Sequence, residues 1–98
     1  MIDPRLSRMA QILVRYSTKV QKGDKVHISG GTLAIPLMEQ LYIEALKVGA
    51  HPYVDVAVPS LTRYFFKYAD KEQLEYFSPI SKAMIDNFDV AISIMSEE

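Results

Sequence analysis

The chain has 98 residues, 49% hydrophobic and 23% charged, with 11 Lys and Arg against 12 Asp and Glu for a formal charge of −1. That length is one domain or a piece of a larger one, with room for a single modest core. The near-neutral balance excludes a broad field aimed at nucleic acid or an anionic membrane, and the lack of cysteine excludes disulfides and thiolate metal sites.

In chain order, Asp3 and Pro4 predict a helix start, the carboxylate capping and the proline suiting the first helical position. Leu6, Met9, Ala10, Leu13 and Tyr16 recur at helical spacing as one apolar stripe. Arg5, Arg8, Arg15, Lys19 and Lys22 run loosely along the same helix, as a solvated or interdomain face. A polar turn around Gly23 leads to a short strand, "VHIS", at Val26–Ser29. After "GGT" comes a second helix with a stripe of Leu37, Met38, Leu41, Tyr42, Ala45 and Leu46. Glu39, Gln40, Glu44 and Lys47 are expected on its opposite face. Gly49 ends that helix as a left-handed cap, and "PYVDVAV" at Pro52–Val58 is the second strand. Leu61, Tyr64, Phe65 and Tyr68 share a face of a further helix, and Asp70 with Gln73 forms a capping box for the next. Ser81–Asn87 adds a helical turn or two, and the wholly apolar "VAISIM" at Val90–Met95 is the third strand.

Strands alternating with helices predict a parallel sheet with right-handed crossovers. The expected fold is α/β, a three-layer Rossmann-like or flavodoxin-like half with strand order 2-1-3. Ligands in such sheets bind beyond the C-terminal strand ends, where the order reverses, here between strands 1 and 3. Ser29, Gly30, Gly31 and Thr32 fall there, followed by Ser96, Glu97 and Glu98 from the end of strand 3. The turn Gly30, Gly31, Thr32 is the candidate anion site, since the N–H groups of the second helix point at it. Against that stand the missing G-x-G-x-x-G or G-K-[ST] pattern, the donor that Pro36 lacks, and two glutamates that repel phosphate; a structural turn is the better reading.

His27 and His51 lie in no ligand spacing and read as structural histidines. Asp55, Asp70, Glu72, Glu75, Asp86 and Asp89 read as caps or solvated positions, with no convergent pair. No serine occupies a nucleophile elbow, so no catalytic or metal-binding constellation is evident. Six aromatics between Tyr64 and Phe77, in "YFFKYADKEQLEYF", read as core, with surplus rings facing a partner domain. No apolar stretch is long enough to span a bilayer and the N-terminus lacks a signal-peptide core; a cytoplasmic location is expected.

Several pieces in order carry a family resemblance: "DPRL…A.ILVRYS" at Asp3–Ser17, "V.KGDKV" at Val20–Val26, "TLAIPL" at Thr32–Leu37, "EALKVGAHPYV" at Glu44–Val54 and "DKEQLEYFSP" at Asp70–Pro79. The chain resembles the N-terminus of the thermophilic-type metalloaminopeptidases, the family of aminopeptidases T and S. The resemblance implies a broad-specificity exopeptidase, of leucyl aminopeptidase type, that releases N-terminal residues from peptides. It also implies two divalent metal ions, of cobalt, zinc or magnesium type, held in a C-terminal catalytic domain that also supplies a catalytic tyrosine. None of those positions matches a residue here, so no catalytic or metal residue is carried over. Residues 1–98 are then expected to form the N-terminal α/β domain alone, inactive by itself and helping to wall the cavity around the distant site. The implied partners are its own C-terminal domain, peptide substrates and a second copy in a homodimer, with no nucleic acid and no membrane. Two alternatives remain: a free-standing anion- or nucleotide-binding module at Gly30–Thr32, and an interaction domain working through the aromatic helices.

Overall fold

Asp3 opens the first helix: its carboxylate accepts the Arg5 backbone N–H at 2.9 Å, and Pro4 takes the first helical position of α1, Pro4–Gln11. The computed structural model describes residues 3–95. Beyond α1 the chain continues as a π-helical turn over Ile12–Ser17, closed where the Thr18 N–H donates to the Leu13 carbonyl at 3.0 Å. A π turn adds a residue and rotates every later side chain relative to an α-helical stripe. This corrects the expected stripe: Ala10 and Val14 are fully buried, whereas Met9 and Tyr16 are exposed.

Strand β1 (Lys25–Gly30) follows, then a 3₁₀ turn (Thr32–Ala34), helix α2 (Ile35–Lys47), strand β2 (His51–Val56) and, later in the chain, strand β3 (Val90–Ile94). Gly49 has φ +85°, and past it the Ala50 N–H returns to the Ala45 carbonyl at 2.9 Å. That left-handed cap reverses the chain into β2 at little steric cost, because glycine has no Cβ.

The sheet is parallel, as expected from the alternation of elements, and its order is the expected β2-β1-β3. Lys25 stands opposite His51 and Gly30 opposite Val56; on the other side Val26 stands opposite Val90 and Gly30 opposite Ile94. Alternation along each strand puts Val26, Ile28, Val54, Val90 and Ile92 on one face and His27, Ser29, Tyr53, Asp55 and Ser93 on the other. α1 and α2 cover the apolar face. Ala10, Val14, Val26, Ile28, Met38, Leu41, Ala45 and Ile92 form its core. Burying a side chain the size of Ile28, Met38 or Leu41 is worth about 1.5–3 kcal/mol each.

Helix α2 is rotated from its expected orientation. Met38, Leu41 and Ala45 are buried, but so are Gln40 and Glu44, while Tyr42 and Leu46 are exposed. The helix serves two neighbours, the sheet and α1, so its buried arc is wider than one apolar stripe. Glu44 is on the α1 side, where Arg15 meets it.

Val58–Asn87 forms a second compact unit of three short helices, α3 (Ser60–Tyr68), α4 (Lys71–Glu75) and α5 (Pro79–Asn87). The capping box is present: the Gln73 N–H donates to Asp70 at 2.9 Å, and the Asp70 N–H donates to the Gln73 side-chain oxygen at 3.0 Å. No residue of this unit is buried, which corrects the expectation that its rings are core. Phe66, Tyr68, Tyr76 and Phe77 are each about two-thirds exposed or more. Three helices this short do not enclose an interior large enough for six rings.

Among the described residues, no helix is long and apolar enough to cross a membrane.

Candidate functional site

The C-terminal end of β1 is where the sheet's strand order reverses, and the chain leaves it through Gly30 and Gly31. Gly30 is a packing glycine. A Cβ there would lie 3.1 Å from the Ala34 Cβ and 3.2 Å from the Ile94 Cβ, closer than side-chain carbons normally approach. A side chain there would have to push Ala34 or Ile94 back by a few tenths of an ångström, so glycine suits the close approach. Beyond it the turn closes on itself. The Ala34 N–H donates to the Gly31 carbonyl at 3.0 Å, and the Ile35 N–H donates to the Thr32 carbonyl. Pro36 has no N–H, so three successive positions at the start of α2 offer no free donor. Thr32 is exposed beside them. Ser96, Glu97 and Glu98, expected at the same end, lie outside the described residues.

The polar face of the sheet gathers groups that the sequence keeps far apart. Ser29 and Ser93 hydroxyls lie 3.2 Å from each other across β1 and β3. His27 Nε2 is 3.5 Å from an Asp55 carboxylate oxygen, with the histidine ring against Phe88 at 4.9 Å and Phe88 against Tyr53 at 5.4 Å. His27 Nε2 is buried with no hydrogen-bond partner among the described residues. The parallel register produces this set, by aligning His27 with Tyr53 and Ala91, and Ser29 with Asp55 and Ser93. Sequence spacing carries no trace of it, because each contact joins different strands. His51, at the opposite end of β2, is exposed.

Three of the remaining carboxylates have partners, and Glu72 and Glu75 are exposed. Asp89 accepts the Lys25 backbone N–H at 2.8 Å, Asp86 pairs with Lys82 at 2.6 Å, and Asp70 caps α4. The basic row along the first helix is divided: Arg5 bonds back to Asp3, and Arg15 reaches Glu44. The carboxylate that sequence reasoning missed is Glu44, buried where a solvated position was expected. Among the described residues, no three His, Asp or Glu side chains converge to hold a metal ion. A two-metal centre does not fit the described residues.

This architecture defines a parallel α/β domain with helices packed on the apolar face of its sheet. The thermophilic metalloprotease (M29) family model matches residues 2–98, and the chain belongs to that family. Among solved structures it is similar to wild-type AmpT from Thermus thermophilus, with a TM-score of 0.76 at 19% identity. That match covers 99% of this chain and 26% of the AmpT chain, so the chain spans about a quarter of the length of that relative. At this identity the likeness establishes the shared fold. No curated protein matches the sequence.

Proposed function

We propose that the chain is the N-terminal, cavity-forming domain of a longer metal-dependent aminopeptidase that releases N-terminal residues from peptides. The observation that carries this reading is the family match over residues 2–98, to a family of metalloproteases. The match to only 26% of the AmpT chain supports a division of labour, with metal ligands and catalytic groups in a separate C-terminal domain. In that arrangement the sheet and its α1–α2 layer supply a rigid wall, the cytoplasmic enzyme pairs with a second copy, and cobalt, zinc or magnesium ions bind outside residues 1–98.

The test is leucine-p-nitroanilide hydrolysis by the 98-residue chain with cobalt, zinc and magnesium added in turn. No turnover is expected, because two-metal hydrolysis needs several carboxylates and imidazoles around the ions. Turnover that survives repurification and disappears with chelator would overturn the division of labour. Sequencing the reading frame past codon 98 supplies the second arm, with a continuing frame rich in His, Glu and Asp expected.

A further inference from the structure

Helices α3 and α4 build a pocket from their own side chains. Tyr64, Phe65 and Tyr68 come from α3, where a four-residue spacing sets Tyr64 and Tyr68 side by side; Glu72 and Gln73 come from α4, and Tyr76 follows it. The pocket has a volume of about 530 Å³. All its walls belong to the one compact unit Val58–Asn87, so none depends on either end of the chain. The capping box holds part of the lining in place, since the Gln73 side-chain oxygen accepts the Asp70 N–H at 3.0 Å.

The lining is suited to a cation. An aromatic ring is negative on its face, and Tyr64 and Tyr68 are tilted by 49° with centroids 6.5 Å apart, so they do not stack face to face. Both rings already draw cations from the chain: the Arg63 guanidinium carbon is 5.4 Å from the Tyr64 centroid, and Lys67 Nζ is 5.2 Å from that of Tyr68. Glu72 adds a full negative charge. It is exposed and forms no ion pair among the described residues, whereas Asp86 in the same unit pairs with Lys82.

We propose that this pocket binds an arginine side chain presented by a peptide, with the guanidinium against the tyrosine rings and paired with Glu72. A guanidinium is flat, weakly hydrated and always charged, so it lies on an aromatic face and still offers a fork of N–H donors to a carboxylate. A lysine ammonium is a compact, strongly hydrated point charge that does neither as well. The volume is in the range of small-ligand sites and admits the side chain with its flanking backbone. The proposal rests on the residues of this unit and is independent of the aminopeptidase reading.

The test is a titration of the 98-residue chain with N-acetyl-arginine N-methylamide, followed by amide chemical shifts. Shifts at Tyr64, Tyr68, Glu72 and Tyr76 should saturate with a Kd on the order of 1 mM. The citrulline counterpart has nearly the same shape without the charge and should bind roughly tenfold more weakly, and the lysine counterpart should also bind less well than arginine. Glu72→Gln and Tyr68→Leu should each weaken arginine binding roughly threefold or more. Glu75→Gln, which removes an exposed carboxylate of α4 outside the pocket, should leave it unchanged. The absence of saturable shifts up to concentrations on the order of 20 mM would overturn the proposal. So would citrulline or lysine binding as well as arginine, or equal weakening by Glu75→Gln and Glu72→Gln. If circular dichroism shows that Tyr68→Leu disrupts α3, the two glutamate variants and the citrulline comparison decide alone.

Discussion

Arg15 Nε donates to the Glu44 carboxylate at 3.1 Å, joining the π-helical turn after α1 to the last turn of α2. The Glu44 side chain is 3% exposed, and its other oxygen is 3.4 Å from the Lys47 ammonium. Burying a carboxylate at a helix–helix contact is costly unless such partners bond to it.

Removing Arg15 leaves Glu44 buried with only an exposed lysine beside it. Arg15→Met should destabilise the chain by about 1–3 kcal/mol, less than a fully buried pair would lose because Arg15 and Lys47 both reach water. The double change Arg15→Met with Glu44→Leu should recover most of that loss, since no charge is then stranded. Urea denaturation of the variants checks both. A double variant no more stable than the single one would show that Glu44 serves packing rather than pairing.

The close approach at Gly30 predicts a stability effect without a binding effect. Gly30→Ala should cost about 1–3 kcal/mol, because Ala34 and Ile94 must move apart to admit a methyl group. Calorimetric titration of the unmodified chain with phosphate, ATP or NAD should show no saturable heat. Millimolar or tighter binding that Gly30→Ala abolishes would instead assign the turn to an anion.

Arg5 side-chain hydrogen bonds hold the Asp3 carboxyl below its ordinary value of 3.8, helped by the Arg5 backbone N–H. A carboxyl depressed in the folded state stabilises fully above its unfolded value and loses that contribution as pH falls through the lower folded one. The start of α1 should therefore fray in acid below pH 3.8. Asp3→Asn, which caps without titrating, should remove that pH dependence. Amide chemical shifts over Arg5–Arg8 report it, and identical acid fraying in both proteins would rule out Asp3 as the cause.

Val58–Asn87 has no buried residue, whereas Val26, Ile28 and Leu41 are fully buried. Local opening requires little where little apolar surface is packed. Amides in α3, α4 and α5 should exchange orders of magnitude faster than those of β1 and the middle of α2. Equal protection across both units would mean that the aromatic helices are covered in solution.

The strands and helix ends were legible in the sequence because they are local. Asp3 caps through Arg5, two residues on, and Asp70 with Gln73, three residues on. Gly49 marks the end of α2 because a left-handed residue there suits glycine, whatever surrounds it. Alternation of β-branched runs with helical spacing likewise implied the parallel sheet. The buried arc of α2, the phase of the π turn and the His27–Asp55 pair belong to the tertiary structure. Glu44 reads as a solvated residue until Arg15, 29 positions away, supplies its countercharge. Ser29 and Ser93 become neighbours only through strand register, 64 positions apart. The aromatic run reads as core by its spacing and is exposed, because helical periodicity specifies which side chains share a face, and only the elements packed against that face decide whether it is buried.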